Sequence, residues 1–96
     1  MNHKEYRANF SKKVCEYITE RFLSNFSRHD NIKSQNDYAK AVGLTSSTIG
    51  KIPKEKNYSI PLSTLASILK FENIEMDEFF ADFKKYCENE STLPGK

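Results

Sequence analysis

The strongest constraint on this chain is a glycine, Gly43, set between two short stretches of helical spacing. Ahead of it, Gln35 to Val42 places Tyr38, Ala39 and Val42 on one helical face. Gly43 stands where a helix can stop in the left-handed backbone conformation, which glycine adopts at little cost. Leu44 puts one apolar side chain into the turn. Thr45 is placed to cap a second helix by accepting a hydrogen bond from the backbone N–H near Thr48. Ile49 and Ile52, three residues apart, face inward and leave Ser46, Ser47, Gly50 and Lys51 outward. Two helices joined by so tight a turn must cross closely, and small Ala39 beside Gly43 permits the crossing.

This spacing is the helix-turn-helix pattern, whose second helix enters the major groove of DNA. The residues SQ..YA...GL..STI..I of Ser34–Ile52 continue into PLSTLASIL and NIEMDEFF. Together they resemble the lambda-repressor-like (xenobiotic-response-element type) helix-turn-helix family, over Ser34 to Phe80. The resemblance implies an all-α fold, a compact five-helix domain, here with lengthened first and last helices. It also implies DNA binding, although some copies of the fold bind only proteins.

The expected organisation is a flexible N-terminus over residues 1–9, one helix-turn-helix domain over 10–87 and a disordered tail over 88–96. From Phe10 to about Arg28 the apolar stripe is Phe10, Val14, Cys15, Ile18, Phe22, Leu23 and Phe26, with Ser11 as its cap. His29 to Lys33 is a polar loop anchored by Ile32. Ser34 caps the next helix, and Asp37 favours the positive end of its dipole. Pro53 predicts that the second helix of the motif stops near Lys51 or Ile52. The family commonly has a glutamate at the place of Pro53, paired with a basic residue, and that pair is missing.

Pro61 suits the first turn of a fourth helix, which would bury Leu62, Leu65, Ala66, Ile68 and Leu69. Family members usually carry leucine where Glu72 stands, and Phe71 is expected to supply the apolar contact instead. Asn73 is a left-handed stop. The last helix carries Met76, Phe79, Phe80, Phe83, Tyr86 and Cys87 on one broad stripe.

By resemblance, Gln35 touches phosphate and braces the reading helix, while Ser46, Ser47 and Thr48 reach base edges. Thr45 and Thr48 read equally well as plain capping residues. Lys51 lies one turn further along the same face, and Lys54, Lys56 and Asn57 stand where family members touch the DNA backbone. The stretch 46–52 holds neither Arg nor Gln, the side chains that make bidentate base contacts, so direct readout is expected to be modest. The stripe Phe79, Phe80, Phe83 and Tyr86 has two readings: internal packing on the long first helix, or a homodimer interface. The two readings are compatible. A homodimer would set two reading helices about 34 Å apart on a palindromic operator.

Charge agrees with this scheme. Residues 1–71 hold 12 Lys/Arg against 6 Asp/Glu, and residues 72–96 hold 3 against 7. A basic body with an acidic end suits a DNA binder whose tail points away from phosphate. The glycines, Gly43, Gly50 and Gly95, form no phosphate loop, and no nucleophile–base signature or metal-ligand spacing exists. No enzyme activity and no cofactor are therefore expected. Cys15 and Cys87 are expected to be free thiols in a reducing compartment. No run of apolar residues reaches membrane length, and no secretory leader is visible, so the expected location is the cytoplasm. The function expected is a small, repressor-like prokaryotic transcriptional regulator binding double-stranded DNA as a homodimer. The alternative is a protein-binding module on the same fold, antitoxin-like or regulatory, that does not touch DNA.

Overall fold

A computed structural model describes residues 2–91. They form five α-helices, α1 (His3–Ile18), α2 (Gln35–Val42), α3 (Ser46–Lys54), α4 (Leu62–Glu72) and α5 (Met76–Ser91), with no strand among the described residues. The fold is all-α. A helical pattern rather than an alternating one runs through every apolar stretch, so each element can bury its stripe only against another helix.

The first helix starts earlier than expected. The Asn2 side chain accepts a hydrogen bond from the Glu5 N–H (2.8 Å), and Glu5 lies in the first turn, where a carboxylate favours the dipole. Asn2, not Ser11, is therefore the cap, and residues 3–9 are helical although exposed. The α-helix then gives way at Thr19–Leu23 to a π-helical turn. Thr19 Oγ1 donates to the Cys15 carbonyl (2.7 Å), which the Thr19 N–H also reaches, and Ser24 Oγ donates to the Thr19 carbonyl (2.8 Å), so side-chain hydroxyls supplement the backbone bonds as the helical register changes. The helix ends there rather than running to Arg28. Arg28 returns instead from the following loop to donate to the carbonyls of Asn25 (2.7 Å) and Phe22 (3.1 Å).

Ser34 caps α2 through the Asp37 N–H, and Asp37 accepts in turn from the Lys33 N–H. Gly43 ends α2 at φ 90°. Its N–H and that of Leu44 both reach the Ala39 carbonyl, which closes the helix end and turns the chain into α3. Asn73 ends α4 in the same left-handed way, at φ 62° and ψ 45°. On α4 the buried face is Thr64, Leu65, Ile68 and Leu69. Leu62, expected inside, is 72% exposed, and Ala66 is exposed as well. Pro61 precedes α4 rather than joining it, so the first side chain of the helix projects past the neighbouring helices.

The core gathers Ile18, Tyr38, Ala39, Ile49, Ile68 and Phe79, all fully buried. α1 packs on α3 and α5, α2 on α3 and α4, and α4 on α5. α5 runs on through Glu88 to Ser91, so the first part of the expected tail is helical; residues 92–96 lie outside the described residues. The chain measures 42 × 24 × 23 Å along its principal axes.

Glu72, the residue that departs from an apolar expectation, is only 6% exposed at its side chain. Its Oε2 accepts from the Tyr38 hydroxyl (2.6 Å) and from the Arg28 guanidinium (2.6 Å). His29 Nε2 lies 3.4 Å from its other oxygen, an ion pair whenever the imidazole is protonated. This cluster ties the loop after the first helix to α2 and α4. Phe71 supplies the expected apolar contact, edge-on to Tyr38 at 5.5 Å between ring centroids.

Candidate nucleic-acid interface

The candidate surface is the outer side of α3 and the loop behind it. Thr45 caps α3 by accepting from the Thr48 N–H (3.1 Å), and the two threonine hydroxyls are 2.8 Å apart, so each occupies the other. Both residues serve the helix start first and are less free for bases than Ser46 and Ser47. Ile49 and Ile52 sink into the core at 0% and 2% exposure and fix the rotation of α3. That rotation sends Ser47, Lys51 and Lys54, at steps of four and three, outward in one row.

Gly50 was expected on that outward face and is buried instead. The Gln35 side chain lies over it: a Cβ at Gly50 would stand 2.9 Å from Gln35 Nε2. Gln35 Nε2 also donates to the Ser46 carbonyl (3.3 Å). Gln35 thus grips the first turn of α3 from α2, and the lack of a side chain at Gly50 gives it room. Gln35, Ser46, Ser47, Gly50 and Lys51 line a shallow depression of about 380 Å³ that continues to Lys54 and Glu55.

Pro53 does not stop the helix where expected. α3 continues to Lys54, and the Glu55 N–H closes it on the Lys51 carbonyl (2.9 Å). Proline here forfeits one bond, to the Ile49 carbonyl, in the last turn, while burial of Ile52 holds the preceding backbone helical against its usual preference. The extra turn carries Lys54 onto the α3 row. Lys56 and Asn57 follow in the exposed loop, and Lys51 Nζ leans to 6.0 Å from the Tyr58 ring centroid. Lys51, Lys54 and Lys56 therefore share this surface with one carboxylate, that of Glu55.

The candidate dimer residues are spent largely inside the chain. Phe79 is fully buried and Phe83 is 6% exposed. Tyr17 meets Phe79, Phe83 and Tyr86 at centroid distances of 5.4, 5.8 and 4.9 Å, and Phe80 stands edge-on to Phe79. This is the internal-packing reading; Phe79 and Phe83 present almost no surface to another molecule. The exposed aromatics are Tyr6 and Phe10 on α1, at 61% and 43%, stacked on each other with Phe10 edge-on to Phe83.

No group of three or more His, Cys, Asp or Glu among the described residues could hold a metal ion. Neither Cys15 nor Cys87 is in a disulfide; Cys15 is buried, and burial pushes its thiol up from the ordinary 9.0, with the Glu16 carboxylate adding to the effect. No described helix is long and apolar enough to cross a membrane. No protein-family model, curated protein or solved structure matches the chain. Function must therefore be read from the surface itself.

Proposed function

We propose that this protein binds double-stranded DNA as a repressor-like regulator of transcription, with α3 in the major groove and its last residue, Lys54, with the loop that follows through Asn57, on the phosphate backbone. The observation that carries the proposal is the outward row Ser47, Lys51 and Lys54 on a helix whose opposite face is anchored by Ile49 and Ile52 and whose start is gripped by Gln35. A groove-reading helix needs this combination: a rigid attachment on one side and small polar and cationic side chains on the other. The lambda-repressor-like resemblance of Ser34–Phe80 points the same way. Ser46 and Ser47 suit several bases, so most of the affinity would come from phosphate, and sequence discrimination from shape and from pairing two copies.

Binding to a duplex, followed against salt, tests this. Each phosphate neutralised contributes about −0.9 to the slope of log K on log salt, so Lys54→Ala and Lys56→Ala should each make the slope shallower by about one. A slope near zero, or no binding at low salt, contradicts the proposal.

A second reading, docking of a protein partner, is favoured by the exposed Tyr6–Phe10 pair and by Glu55 within the lysine row. It predicts that Tyr6→Asp abolishes partner binding while the α3 lysines are dispensable.

A further inference from the structure

Beside α3, meeting its outward row at Lys54, a cavity of about 460 Å³ opens between α1, the end of α3 and the following loop. That volume is in the range of small-ligand sites, which combine an apolar body with a few polar groups at defined places. Cys15, Ile52, Pro53 and Tyr58 give it an apolar lining, to which Tyr86 of α5 adds an aromatic ring. Its charged residues divide by wall. α1 and the turn that continues it contribute Lys12, Glu16 and Glu20 in one row at steps of four, with carboxylates in excess. The facing wall, the end of α3 and the loop after it, contributes Lys54, Glu55 and Lys56, with ammonium groups in excess. None of these six side chains forms an ion pair within the chain among the described residues.

We propose that this cavity binds a small amphoteric molecule whose cationic and anionic ends are separated by an apolar body. The ammonium end would face Glu16 and Glu20, the carboxylate end Lys54 and Lys56, and the body would cover Ile52, Pro53 and Tyr58. A single-charge ligand would satisfy one wall and leave the other unpaired, so charge separation is what the cavity selects. Lys54 and Lys56 also belong to the proposed DNA surface. A filled cavity would draw on charges that phosphate also needs; that link alone rests on the DNA reading.

Isothermal calorimetry on the full chain without DNA tests the site, so its outcome is independent of DNA binding. The probes are the dipeptide Phe-Leu, its N-acetyl form and its C-terminal amide. Phe-Leu is expected to bind most tightly, with each blocked form weaker by about two- to fivefold, the value of one exposed ion pair. The paired variant Glu16→Gln/Glu20→Gln should remove the advantage of Phe-Leu over the N-acetyl form and keep its advantage over the amide. Both positions lie outside the core, and a thermal melt on the same sample verifies folding. Equal binding of all three peptides, or no heat at millimolar peptide with the unmutated chain, overturns the proposal.

Discussion

Glu72 shows how one residue can set the terms for its neighbours. Its carboxylate is 6% exposed at the side chain, and hydrogen bonds donated by Arg28 and Tyr38 offset the cost of burying it. Glu72→Ala leaves the Tyr38 hydroxyl without its acceptor and the Arg28 guanidinium without its carboxylate, though still bonded to the Asn25 and Phe22 carbonyls. The expected loss of stability is about 2–3 kcal/mol, below a fully buried pair because Arg28 is 36% exposed at its side chain. Urea unfolding of the variant checks this; an unchanged midpoint would mean the cluster contributes nothing. Tyr38 carries the pH dependence. Burial raises its hydroxyl far above the ordinary 10.0, the hydrogen bond to Glu72 and its charge raise it further, and Arg28 opposes. The unfolded chain therefore gives up this proton above about pH 10 while the folded chain keeps it, so stability is complete below that pH and falls as pH rises beyond it. Cys15, also raised, starts the same decline from about 9.0. Unfolding measured from about pH 8 to 11 should show little change at first and a loss of stability that begins near about pH 9 and steepens above about pH 10, and Tyr38→Phe should make the later decline shallower. An identical slope in the variant would contradict the assignment.

At the scale of elements, what could be read from sequence was what is local. The caps Ser34 and Thr45, the stops Gly43 and Asn73 and the inward pair Ile49 and Ile52 each depend on residues within a turn or two. What could not be read depends on distant partners. Glu72 is buried because Arg28, 44 residues away, and Tyr38, 34 away, meet it there. Gly50 is buried because a side chain from another helix lies over it. The early start of α1 turns on a single asparagine ahead of a stretch with no apolar periodicity, and the extra turn of α3 on Ile52 overriding the preference that Pro53 imposes. The long first and last helices were legible as lengths, but only the structure decides that they meet each other. Phe83→Asp should accordingly unfold the chain, since it places a carboxylate 6% exposed among Tyr17, Phe79 and Phe10. Tyr6→Asp, on a 61% exposed position, should leave the melting temperature within about a degree or two. Thermal melts of both variants check this, and a stable Phe83→Asp chain would mean the aromatic cluster is not core.

For the whole molecule, the distribution of charge matters more than its sum. The net +2 conceals a basic body through residue 71 and an acidic remainder. Lys51 and Lys54 on α3 and Lys56 in the loop after it lie on the basic part, where buried Ile49 and Ile52 and the bond from Gln35 hold the helix in place. Long-range steering toward phosphate would act on this face, and the acidic α5 would orient the approach. The most direct test is chemical-shift mapping of the isotopically labelled chain as a duplex is added at low salt. DNA binding through α3 would concentrate the shifts on the amides of Gln35, Ser46, Ser47, Lys51 and Lys54–Asn57, fading as salt is raised. Shifts confined instead to Tyr6, Phe10 and the α5 surface, or none at any salt, would contradict it.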